Sequence, residues 1–142
     1  MAEGEAAAEG GAMSGREVFE YALLRVVPRI ERGEQINAGV LVYCRAHSYL
    51  CARTHLDERR LLALDPEVDL AGVRAALHAV EELGCGGARA GQAAGDDAGR
   101  RFRWLVAPRS TVVQPGPVHS GLTEDPEAEA ERLLRLLVRV PA

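Results

Sequence analysis

The stretch "EVFEYALLRVVPRIERGEQINAGVLVYC", Glu17 to Cys44, decides the fold. Its first part, Glu17 to Val27, is rich in aromatic and β-branched residues, which suit a pleated surface. Phe19, Tyr21, Leu23 and Val27 fall on one face at period two, with Arg25 among them, while Ala22, Leu24 and Val26 occupy the other. Apolar side chains on both faces predict a strand covered at least in part on both sides. Pro28 has no N–H to give a ladder and ends the strand. A loop runs to about Gln35, and Ile36 to Cys44 reads as a second, almost continuously apolar strand.

Downstream, "RAHS" is a short turn and "YLCARTHL", Tyr49 to Leu56, a third strand with cleaner alternation. Connections this short favour antiparallel pairing, so the block predicts a three-stranded meander. Asp57 suits the N-cap of a short helix, "ERRLLAL", stopped by Asp65-Pro66. Asp69 suits the cap of a longer one, with Leu70, Val73, Leu77, Val80 and Leu83 on one face and Gly84 as its stop. "GCGGARAGQAAGDDAG", Gly84 to Gly99, has the composition of a flexible inserted loop. "RRFRWLVAP", Arg100 to Pro108, alternates Phe102, Trp104 and Val106 with Arg101, Arg103 and Leu105, which predicts a strand with one wet face.

Thr111 to Val113 can pair, whereas Pro115 and Pro117 confine the residues after them to an edge or a loop. A last helix starts at about Asp125, with Pro126 in its first turn and Leu133, Leu134, Leu137 and Val138 as its buried stripe. The order βββααβ(β)α predicts a single α+β domain over residues 16–142, with helices on a largely antiparallel sheet of about four to five strands. Residues 1–15, mostly Ala, Gly and Glu, have nothing to bury and read as a disordered leader. Met13 offers a second start site just before the organised sequence begins.

The chain of 142 residues suits one core. Its net charge of −4 disfavours nonspecific nucleic-acid binding, which depends on neutralising phosphates. All 17 basic residues are arginine, a bias that fits GC-rich coding and lowers the functional weight of any one of them. No apolar run reaches the roughly 20 residues that span a bilayer. The N-terminus has neither a basic nor an apolar region of a secretory signal, so a cytoplasmic location is expected. Cys44, Cys51 and Cys85 are odd in number and lack C-x-x-C spacing, and they read as small apolar residues rather than a disulfide framework or a zinc site. Cys44 and Cys51 could also face each other across a hairpin.

Two groups of residues carry candidate chemistry. Arg25, Arg32, Glu34 and Asn37 surround the first loop, where Arg offers a planar fork for carboxylate or phosphate and Asn both a donor and an acceptor. Gly33 and Gly39 permit a positive φ or a close backbone approach. The plain alternative is a solvated turn. Arg25, inside an apolar strand, needs a partner, and Glu34 is the nearest in sequence, which predicts an Arg25–Glu34 brace. In the second group Arg109, Ser110 and His119 lie in a proline-restricted segment, without a nucleophile elbow and without metal-ligand spacing. No motif calls for a cofactor or metal.

Phe19, Tyr21, Arg25, Pro28 and the run Arg32-Gly33-Glu34-x-x-Asn37-x-Gly39-Val40, together with "RFRWLVAPRSTVVQPGPVHSGL" and "EDPEAEAERLL", resemble a bacterial domain-of-unknown-function family numbered three-zero-three-seven. The resemblance spans about residues 17–138. It implies no activity. It does imply a protein partner, because some members are encoded beside HipA-like kinases, and it centres attention on the Arg32–Gly39 loop. Three functions are expected candidates. The first is a protein-binding accessory module using the Arg32–Asn37 loop and the Pro115–His119 segment, supported if an exposed Trp104 or a polar-rimmed apolar patch lies beside them. The second is an enzyme or small-anion binder in which Arg25, Arg32, Arg109 and His119 converge on one pocket. The third, disfavoured by charge, is nucleic-acid binding through Arg100, Arg101 and Arg103 on a strand face.

Overall fold

A computed structural model of the chain describes residues 15–85 and 97–140. The N-terminal leader and most of the Gly/Ala-rich loop lie outside the described residues. The strands are β1 (Glu17–Val26), β2 (Ile36–Cys44), β3 (Tyr49–Thr54), β4 (Val113–Pro115) and β5 (His119–Thr123). The helices are α1 (Glu58–Leu64), α2 (Leu70–Cys85), α3 (Ala98–Leu105) and α4 (Pro126–Leu133), the last running into a π-helical turn at Leu134–Val138. The fold is α+β, as expected.

The sheet is antiparallel, in the order β3-β2-β1-β4, with β5 also pairing β1. β1 is therefore central, flanked by β2 along one edge. Along its other edge β4 pairs with Leu24–Val26 and β5 with Glu17–Tyr21. β4 and β5 act as one edge strand broken at Gly116–Val118, where Pro117 cannot supply a ladder N–H. The expected meander is present, with Tyr21 opposite Val42 and Leu41 opposite Ala52.

Both faces of β1 are covered, as its two-sided apolar pattern requires. On one face Phe19 packs with Val40, Val42 and Cys44 against Ala130, Leu133, Leu134 and Val138 of the C-terminal helix. On the other, Leu24 and Leu41 pack with Phe102 and Leu105 of α3, and Val26 and Ile36 with Leu61, Val73 and Leu77 of α1 and α2. A register shift between Leu24 and Arg25 makes Ala38 the extra residue of β2, which is how that strand serves both layers.

Local chemistry sets the ends. Asp57, Asp97 and Asp125 each cap a helix by accepting from a first-turn N–H. Asp69 accepts from Gly72 N in the same way.

Three expectations are corrected. Residues 98–105 form a helix, not a strand: Ala98, Phe102 and Leu105 recur at helical spacing and reach the core together, while Trp104 is turned outward. Gly84 does not stop α2, which continues to Cys85. A Cβ at position 84 would stand 2.6 Å from Ala52 Cβ, so the glycine lets the helix close on β3. Leu137 is exposed, unlike the other leucines of its stripe, because the wider π turn rotates it off the buried face.

Candidate functional site

The loop at the mouth of β1 and β2 is built as its glycines suggest. Gly33 has φ +71° and closes the turn, with its N–H donating to the Arg29 carbonyl. Gly39 is buried where a Cβ would meet the Arg53 carbonyl at 2.8 Å. Glu34 does not brace Arg25. Its carboxylate takes the Nε of Arg32 at 2.8 Å, both side chains being exposed, and this hydrogen bond holds the Glu34 carboxyl below its usual range. The exposed neighbour two residues away takes Glu34, and the strand-borne Arg25 forms no ion pair with it.

Arg25 stands on central β1, opposite Asn37 on one side and Gln114 on the other. Strand alternation puts it on the face of Phe19, Tyr21 and Leu23. Its guanidinium lies on Gly116, where a Cβ would meet Cζ, Nη2 and Nε at 2.9 to 3.1 Å. Nε is buried without a hydrogen-bond acceptor. Among the described residues no carboxylate comes within ion-pairing distance of it. The neighbouring donor is already committed, since Asn37 Nδ2 donates to the Leu137 carbonyl at 3.0 Å and ties β2 to the π turn. Further along β1, Tyr21 pairs with His119 and the two rings meet at 5.2 Å between centroids. His119 and Val118 are exposed beside them.

Arg109 and Ser110 belong elsewhere. Arg109 turns back onto α3, donating to the Trp104 and Ala107 carbonyls and stacking at 4.8 Å over the Trp104 ring. It thereby closes the C-terminus of α3 and fixes the indole, which is 57% exposed. Ser110 is exposed just beyond it. The candidates thus divide: Arg25, Asn37 and His119 gather on and beside β1, Arg32 and Glu34 form a surface turn, and Arg109 and Ser110 lie with the helix on the other layer.

Neither the cleft beside α3 nor the smaller hollow between Pro28 and the start of α2 is lined by any of the seven candidates. The larger, about 950 Å³, is a cleft between α3 and the far end of the sheet, bordered by Glu20, Tyr43, Arg45, Ser48, Arg101 and Arg103. Arg103 spans it to pair with Glu20 at 2.8 Å. The arginines expected on a strand face are therefore on a helix. No cluster of three or more metal-ligating side chains occurs among the described residues. None of their helices is long and apolar enough to cross a membrane.

Sequence spacing carries no hint of one further pair. Cys44 is buried opposite Tyr49 and does not face Cys51. Instead Cys51, on edge strand β3, meets Cys85 at the end of α2, with Sγ atoms 3.6 Å apart. The two are 34 positions apart, so only the helix-on-strand packing brings them together.

The molecule is thus a small α+β domain with a two-sided antiparallel sheet and, on its central strand, an arginine that meets no carboxylate among the described residues. The chain belongs to the DUF3037 family, described as a protein of unknown function, whose model matches residues 21–138. Neither a curated protein nor a solved structure matches the chain.

Proposed function

We propose that the chain is a cytoplasmic accessory module that binds another protein through the surface around Arg25, with His119 beside it and the Arg32–Glu34 turn and Asn37 framing it. The observation that carries this reading is Arg25, which has no ion-pair partner among the described residues. An arginine on a central strand, with a buried Nε lacking an acceptor, is stabilised by a carboxylate, and the chain offers none among its described residues. A partner that presents an Asp or Glu side chain would supply the missing fork-to-fork pair. Val118, two residues past Gly116, and Leu137, whose carbonyl takes Asn37 Nδ2, are both exposed and add apolar contact area. The exposed Trp104 stacked on Arg109, with Ser110 nearby, supplies a second contact patch of a residue type enriched at interfaces. The family resemblance makes a HipA-like kinase the first partner to test.

The test is affinity capture from the native host with wild type, Arg25→Gln and Arg32→Ala, read by mass spectrometry beside melting temperatures. The reading expects one specific protein on the wild type, lost from a folded Arg25→Gln variant. The same partner retained by Arg25→Gln at wild-type level would overturn it. A small-anion ligand at Arg25 and His119 is the second reading, favoured by the same guanidinium. It gains if wild type captures no protein and phosphate or a dicarboxylate raises the melting temperature of wild type but not of Arg25→Gln.

A further inference from the structure

Cys51 and Cys85 form a dithiol built by the packing of α2 on the sheet edge. Their sulfurs are 3.6 Å apart, and Cys85 Sγ is 3.7 Å from the Ala52 carbonyl. The approach depends on Gly84, since any side chain there would collide with Ala52 and lift the end of the helix away. Cys85 is exposed and Cys51 half-buried, so a small reagent in solvent reaches Cys85 first. Arg53, beside Cys51 on β3, adds a positive charge near the pair. A disulfide S–S bond is about 2.05 Å, so closure requires the sulfurs to approach by roughly 1.5 Å, within the reach of χ1 adjustments in two side chains.

We propose that Cys51 and Cys85 are an oxidative modification site, in which a hydroperoxide converts Cys85 to a sulfenic acid and Cys51 resolves it as a disulfide joining β3 to α2. In the first step the Cys85 thiolate attacks the outer peroxide oxygen. The O–O bond breaks, Cys85 becomes S–OH, and the departing hydroxide or alkoxide takes a proton. In the second step Cys51 sulfur attacks the Cys85 sulfur, the S–O bond breaks, and water leaves as the S–S bond forms. The two thiols together lose two electrons and two protons, and the peroxide is reduced to water and water or an alcohol.

Electrostatics favour this order. The Cys51 S–H donates to Cys85 and holds the Cys85 thiol down at about 6, against the burial that opposes it, while Cys51 itself is pushed well above the ordinary thiol range. The disulfide would fix the sheet's outer strand to its covering helix.

The experiment treats the full chain with hydrogen peroxide at neutral pH, then counts thiols and maps peptides. Free thiols should fall from three to one, with Cys51 and Cys85 peptides linked, Cys44 untouched and the melting temperature raised. Cys51→Ser should stop the reaction at a sulfenic acid on Cys85, trapped by dimedone, and Cys85→Ser should slow oxidation at least roughly tenfold. Gly84→Ala, if folded, should suppress linkage and also slow Cys85 oxidation, because it parts Cys85 from the Cys51 S–H. Peroxide that leaves all three thiols free, or links Cys44, or links chains to one another instead, would overturn the proposal.

Discussion

At the scale of single residues, the informative positions are those where a side chain lacks something. Arg25 lacks a counter-charge among the described residues, and Gly116 lacks the Cβ that would displace its guanidinium. Because the obstructed group is the end of a flexible side chain, Gly116→Ala should change stability by less than about 1 kcal/mol. It should nonetheless weaken partner capture by moving Arg25, and unaltered capture with a shifted guanidinium would count against the proposed surface. Gly39 differs, because its obstruction is the Arg53 carbonyl on the neighbouring strand as well as Leu24 and Thr54 side chains. Backbone cannot step aside, so Gly39→Ala should cost about 1–3 kcal/mol in chemical denaturation. Both glycine roles near the first loop are readable in the sequence. The pairing of Glu34 is not, since proximity along the chain says nothing about the direction in which a turn projects its side chains.

At the scale of elements, the three-stranded meander and the C-terminal helix are readable because alternation, capping aspartates and Pro126 agree with one another. "RRFRWLVAP" misleads for a physical reason. Over so short a run, Phe102 and Trp104 satisfy period two while Phe102 and Leu105 satisfy the helical period, and the deciding signal is the Asp97 cap upstream. Asp97→Ala should therefore cost about 1 kcal/mol and lower the helical signal of α3. The π turn is likewise invisible to a stripe argument, yet it places the Leu137 carbonyl over Asn37. Asn37→Ala removes that bond and should cost about 1 kcal/mol, with faster amide exchange confined to residues 134–140. Uniformly faster exchange would show that Asn37 does something other than clamp this turn.

Across the whole molecule, two surfaces emerge that sequence order scatters: the Arg25 surface, drawn from β1, β2 and the broken edge strand, and the dithiol, drawn from β3 and α2. Neither can be read from spacing, because both need the register and the packing angle of elements. The dithiol also gives the folded protein a pH signature. Cys85, depressed to about 6, contributes stability that is present above the ordinary thiol value and lost as pH falls through 6. Cys51, raised, contributes stability that is present below the ordinary thiol value and lost as pH rises above it. Under reducing conditions, the melting-temperature advantage of wild type over the Cys51→Ser/Cys85→Ser double variant should peak near about pH 8–9, between the two flanks. A flat difference across roughly pH 5–10 would remove the coupling.

The proposed function turns on whether another protein supplies Arg25 with a carboxylate. Its most direct measurement is the dissociation constant of the captured partner for wild type and for Arg25→Gln, at matched melting temperature. The variant should lose at least roughly tenfold in affinity, as when one member of a desolvated charged pair is removed. Equal affinity in the two proteins would contradict it.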